Sequence, residues 1–182
     1  MKRIAVILMC ALILTGCTSV KTGMGISSAR SAVNATEGNE GRAKGKATCC
    51  ALTLDDKNIV KSISIDSAEI MFDFSNEGKI TSDIKDRILT NKELGDDYGL
   101  KKKYPNEKEW YEQVQDFEKW ALGKNIEYVL NAENEVLTEN SKDKPLKETV
   151  TMDLTEILNS VQKAYDDILA QKDAEEAAKS KK

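Results

Sequence analysis

Apolar positions along the chain fall into stretches of different period, and each period predicts a different element. Ile4 to Leu14 is an unbroken apolar run of 11 residues behind the basic pair Lys2-Arg3. That length suits the apolar part of a signal peptide and is too short to span a membrane. From Thr18 to about Lys46 the only aliphatics larger than alanine are Val20, Met24, Ile26 and Val33, among five of the ten glycines. This composition predicts a flexible tether over residues 17–45, reaching on the order of 30 Å.

From Thr48 the period shortens to two. Thr48 to Leu54, Ile59 to Ile65 and Glu69 to Phe74 read as strands, with turns at Asp55-Asp56-Lys57-Asn58 and Ser75-Asn76-Glu77-Gly78. The alternation breaks at Val60-Lys61-Ser62, where a bulge is expected. Spacing this tight predicts an antiparallel meander, with no room for helical crossovers. A period near 3.6 then takes over. Trp110, Val114, Phe117 and Ala121 mark one face of a helix that Pro105-Asn106 should start and Gly123 should close. A short helix is expected over Ile126 to Leu130, and a last strand over Glu148 to Met152. Asp153 is placed to cap a helix whose wide stripe (Leu154, Ile157, Leu158, Val161, Tyr165, Ile168, Leu169) must lie on the sheet. The class is α+β: a small antiparallel sheet with two main helices on one face. One domain over 46–170 is expected, followed by a charged tail over 171–182 that reads as a fraying helix end or a solvated segment.

Composition narrows the chemistry. The chain has 182 residues, 27 basic against 31 acidic, for a net charge of −4. That balance argues against a nucleic-acid binder. There is no histidine, which removes the commonest general base, the serine and cysteine nucleophile pairs built on it, and most zinc and copper sites. No phosphate-binding glycine loop, dinucleotide fingerprint, nucleophile elbow or paired-cysteine redox motif occurs. The reading is therefore a non-catalytic protein with no metal and no catalytic residues.

Leu14-Thr15-Gly16-Cys17, following the basic pair and the apolar run, resembles the lipobox of bacterial lipoproteins. The resemblance implies removal of residues 1–16 and a diacylglycerol on the Cys17 thiol, with palmitate-type acyl chains holding the protein on the outer face of the cell membrane. Each buried methylene contributes about 0.8 kcal/mol, so two or more chains anchor stably.

Three clusters invite chemistry. Cys49-Cys50 could be a redox pair, but adjacent strand residues point to opposite faces, so one core thiol and one outward thiol is the competing reading. Asp73-Phe74-Ser75-Asn76-Glu77-Gly78 imitates the opening of a calcium loop, yet Ile84 stands where the closing carboxylate belongs. A glycine hairpin turn explains the same residues. The long irregular stretch from Thr81 to Tyr104 holds Glu93, Asp96, Asp97 and Tyr98 between glycines, with Tyr104 and Trp110 close behind. An aromatic-lined ligand loop or a solvated surface loop would each give this pattern. The partners implied are the membrane, through lipid, and a small ligand or another protein.

Two segments carry a further resemblance. Gly45 to Lys79 and the closing Val150 to Ile168 are similar to domains of FMN-binding lipoproteins. Lys92-Glu93-Leu94-Gly95-Asp96-Asp97-Tyr98-Gly99-Leu100 resembles lipoproteins of low-GC Gram-positive bacteria. The first family implies electron transfer with flavin on a threonine just before the last helix. Here Glu148-Thr149-Val150-Thr151-Met152-Asp153 stands at that place without the family's glycine and alanine, so no flavin residue is carried over.

Overall fold

A computed structural model describes residues 19–132 and 146–180. The signal peptide expected over 1–16 and Cys17, the expected lipid site, lie outside the described residues. Three strands, β1 (Val20–Val33), β2 (Gly41–Asp55) and β3 (Val60–Phe74), form an antiparallel sheet in the order β1-β2-β3. The helices among the described residues are α1 (Asn91–Leu94), α2 (Leu100–Lys103), α3 (Trp110–Ala121), α4 (Ile126–Leu130), α5 (Leu146–Thr149) and α6 (Thr155–Lys179). A 3-10 turn over Gly95–Tyr98 joins α1 to α2. The α+β class read from the sequence is the observed one.

The strand ladder runs without a break from Val20 opposite Asp55 to Val33 opposite Arg42. Residues 20–33 are therefore an edge strand, which corrects the tether expected over 17–45. The physical reason lies in the inward positions of β1. Gly23 and Gly25 face α6, and a Cβ at Gly25 would stand 2.0 Å from the Ser160 carbonyl oxygen and 2.4 Å from the Ala164 nitrogen. At Gly23 it would stand 2.2 Å from the Ala164 carbonyl oxygen. Helix backbone lies directly on strand backbone, and only glycine permits it.

The two strands expected over 59–65 and 69–74 are one, β3, which stays in the ladder from Ile63 to Phe74. Its register shifts at Thr53/Leu54, so Lys61 is the extra residue of the expected bulge. Val60, still paired with Leu54, aims its backbone groups away from β2. Its N–H donates to the Lys124 carbonyl at 2.9 Å and its carbonyl accepts from Gly123 N–H at 2.9 Å, which docks the end of α3. Asp55 ties off the hairpin before it: one carboxylate oxygen accepts from Lys57 N and Ile59 N, each at 2.9 Å, and the other meets Lys61 Nζ at 2.9 Å. The Lys61 ammonium and the backbone donors hold this carboxyl below the usual carboxylate range.

The core lies between the sheet and one layer of helices. Cys50, Leu52, Leu54, Ile63 and Ile65 supply the sheet side; Val114 and Phe117 of α3 and Ile157, Val161 and Ile168 of α6 supply the other. The expected α3 face is buried at all four positions, and Gly123 takes the left-handed conformation at φ +76° that ends the helix. The start of α3 differs from expectation. It begins at Trp110 with Glu109 at its N-cap, five residues past Pro105.

One expected element does not form, and the expected tail takes its helical reading. Residues 146–149 are helical, so the strand expected over 148–152 does not form. Its backbone donors go to a side chain instead: the fully buried Gln113 accepts from Thr151 N at 2.8 Å and Met152 N at 3.0 Å. The expected tail continues as α6 to Lys179, held where Gln171 Nε2 donates to the Thr22 carbonyl at 3.0 Å and Lys172 Nζ to Asn58 Oδ1 at 2.7 Å.

Replacing Gly25 with alanine should cost about 3 kcal/mol in urea unfolding, because two rigid backbones must separate. A Cβ at Gly45 would meet nothing within 4 Å, and Gly45→Ala should stay within about 0.5 kcal/mol of the parent.

Candidate interaction surface

Most of the loop residues singled out from the sequence are occupied by the fold. Glu93 forms a capping box with Thr90, accepting from Thr90 N at 2.9 Å while Glu93 N donates to Thr90 Oγ1 at 3.2 Å. Arg87 pairs with the same carboxylate. The Thr90 backbone donor, chiefly, holds the Glu93 carboxyl low. Asp96 accepts from the Tyr111 hydroxyl at 3.2 Å, and Asp97 is exposed. Tyr98 packs 6.4 Å from Trp110, ring to ring, and burial raises its hydroxyl pKa. Trp110 is 5% exposed and belongs to the core, whereas Tyr104 stands 45% exposed under the Lys103 ammonium.

Sequence reading missed the residue that organises this loop. Glu109 is 1% exposed, and its two carboxylate oxygens accept from Leu100 N and Lys101 N, each at 2.9 Å. It satisfies the first turn of α2 while sitting at the N-cap of α3. A buried carboxylate spent on backbone donors gives no signal in sequence beyond its position before a helix. Glu118 does similar work at the outer side of β3, accepting from Ile65 N and Lys92 Nζ, both at 2.7 Å.

The cysteines take the places that strand alternation assigns. Cys50 is fully buried and Cys49 is exposed, with no disulfide at either. Burial, with Glu118 and Cys49 adding to it, pushes the Cys50 thiol up to about 12. Asp73 is bonded to Arg42 at 2.6 and 3.0 Å, and Ser75 to Gly78 is a turn closed at 2.9 Å. Among the described residues no three His, Cys, Asp or Glu side chains are grouped to hold a metal ion. The two threonines before α6 are engaged within the fold. Thr149 Oγ1 donates to the Leu146 carbonyl inside a helical turn, and Thr151 Oγ1 donates to Glu107 at 3.0 Å.

What the fold leaves open is the far end of the sheet. The strands outrun α6, whose first turn reaches only as far as Ser27, bonded to Glu156. Beyond it, Val33 is 68%, Met71 50% and Phe72 39% exposed. On the face away from the helices, the central strand presents only small residues: Ala43, Gly45, Ala47, Cys49 and Ala51. Arg30 and Ala32 rise on one side of this floor and Ile70 and Phe72 on the other, enclosing an open trough of about 610 Å³. A second trough of about 500 Å³ continues it past Ser28, Ala47 and Ala68.

Comparison with protein-family models, with curated proteins and with solved structures found no match to this chain. The geometry of the molecule is therefore the ground on which its function is argued.

With Cys10 and Cys17 replaced by serine, one thiol should react with a maleimide at pH 8 in the folded protein. The second should react only as the protein unfolds. Two fast thiols would contradict the burial of Cys50.

Proposed function

We propose that the chain is a non-catalytic, lipid-anchored binding protein on the outer face of the bacterial cell membrane, presenting the open end of its sheet to a partner. The observation that carries this reading is the trough between Arg30, Ala32, Ile70 and Phe72, a mostly apolar hollow on the sheet face that carries no helices. The engaged carboxylates point the same way. Asp55, Glu109 and Glu118 are spent on backbone donors and lysines, and the chain has no histidine to act as a base.

The anchor orients the surface. Cys17 precedes Val20 by three residues, a span of at most about 11 Å. The Val20 end of the sheet, with the Asp55 hairpin and the end of α6, would thus face the lipid. The β1 strand of 14 residues extends about 46 Å, which places the trough far from the headgroups. A shallow trough open along its length suits an extended segment of another protein better than a small molecule, which calls for an enclosed pocket.

The intact mass of the protein, taken in detergent from its own membrane, tests the anchor and the absence of a cofactor together. The expected mass is that of residues 17–182 plus acyl groups. An unacylated chain would overturn the anchor, and an increment matching FMN would make electron transfer the function.

A further inference from the structure

The outward edge of β1 is treated differently along its two halves. In an antiparallel ladder, alternate residues of an edge strand aim N–H and C=O away from the sheet. Three such groups in the first half are covered by side chains of α6. The Thr22 carbonyl accepts from Gln171 at 3.0 Å, Met24 N donates to Asp167 at 3.0 Å, and the Ile26 carbonyl accepts from Lys163 at 2.8 Å. The opposite edge, β3, is covered at most positions. Glu118 takes Ile65 N, Ser82 takes Asp73 N at 3.2 Å, Thr81 N donates to the Asp73 carbonyl at 2.8 Å, and Thr90 bridges to Ala68. Ser28, Arg30 and Ala32 continue the outward set of β1, and no described residue covers their three N–H and three C=O groups. A bare edge of this kind templates another strand.

Side chains at the same place say what that strand carries. Arg30 lies across from Gly45 and Ile70 on the open face and has no carboxylate partner among the described residues. The other cations of these strand ends are engaged: Arg42 with Asp73, and Lys44 and Lys46 with Glu69. A second copy of the chain pairing through β1 would bring Arg30 no partner, because β1 contains no acidic residue. We propose that Ser28–Ala32 of β1 takes up an extended acidic segment of another protein as a fourth strand. A carboxylate of that segment pairs with Arg30, and an apolar side chain two residues away lies beside Ala32. This rests on the binding-protein reading and names its partner's chemistry. Cross-strand neighbours stand about 5 Å apart at Cβ, within reach of a guanidinium–carboxylate pair.

The test uses the mature chain 17–182 with Cys17→Ser, and the peptide acetyl-TVTETVT-amide at millimolar concentration as the probe. NMR titration should shift the amide signals of Ser28, Arg30 and Ala32 to saturation and slow their hydrogen exchange. The peptide with lysine in place of glutamate should bind on the order of tenfold more weakly. Arg30→Glu should reverse that preference. Ala32→Pro, which deletes an outward N–H that the fold does not use, should abolish binding and leave the remaining spectrum in place. Unmoved edge amides, or equal affinity for both peptides, would overturn the proposal. Shifts confined to the Ile70 and Phe72 side of the trough would overturn strand addition while leaving the binding surface standing. Concentration-dependent shifts of the same amides without peptide would assign the edge to a second copy instead. An unacylated mass from the native membrane would bear on the anchor alone.

Discussion

The backbone contact of α6 on β1 at Gly23 and Gly25 is the constraint from which most of the molecule follows. With no Cβ at either position, the helix settles against the strand with Ser160 and Ala164 as its own small residues at the crossing. That depth brings Lys163, Asp167 and Gln171 level with the outer edge of β1, where they bond groups that would otherwise face water. It also fixes where cover ends. Helix α6 begins at Thr155, so the sheet beyond Ser27 has no helix to lie under. The buried half of β1 and its open half are two results of one docking geometry.

Buried polar side chains do the rest of the joining. Gln113, Glu109 and Glu118 each take backbone donors from a segment that has no strand partner. They hold, respectively, the stretch before α6, the first turn of α2 and the outer side of β3. Removing any of them would strand buried donors, at a cost of roughly 1–3 kcal/mol for each group left unpaired. The irregular middle of the chain is thereby tied to the sheet and helices; of the acids that drew attention there, Glu93 serves as a cap, Asp96 accepts from Tyr111 and Asp97 is exposed.

Large side chains were legible; small ones were not. The α3 face, the α6 stripe, the closing Gly123, the bulge at Lys61 and the opposed cysteines all follow from period and turn chemistry. In β1 the signal is inverted. Its buried positions hold Gly23, Gly25 and Ser27, while Met24 and Ile26 face solvent. A strand whose inner face has no side chains carries no hydrophobic alternation, so it reads as linker. Thr149-Val150-Thr151 has the β-branched character of a strand, but Gln113 satisfies its neighbours without one. The trough was invisible for the same reason as β1: its floor is alanine and glycine, and its walls come from strands 40 residues apart in sequence, Arg30 and Ile70.

Hydrogen exchange along β1, measured on residues 17–182 with Cys17→Ser, tests the central claim most directly. If α6 is seated on the glycines, the amides of Gly23, Met24 and Gly25 exchange nearly as slowly as those of Leu52 and Ile65, while Ser28, Arg30 and Ala32 exchange fast. Exchange of Gly23 to Gly25 at the rate of unstructured chain would contradict it and return residues 20–33 to the role of a tether.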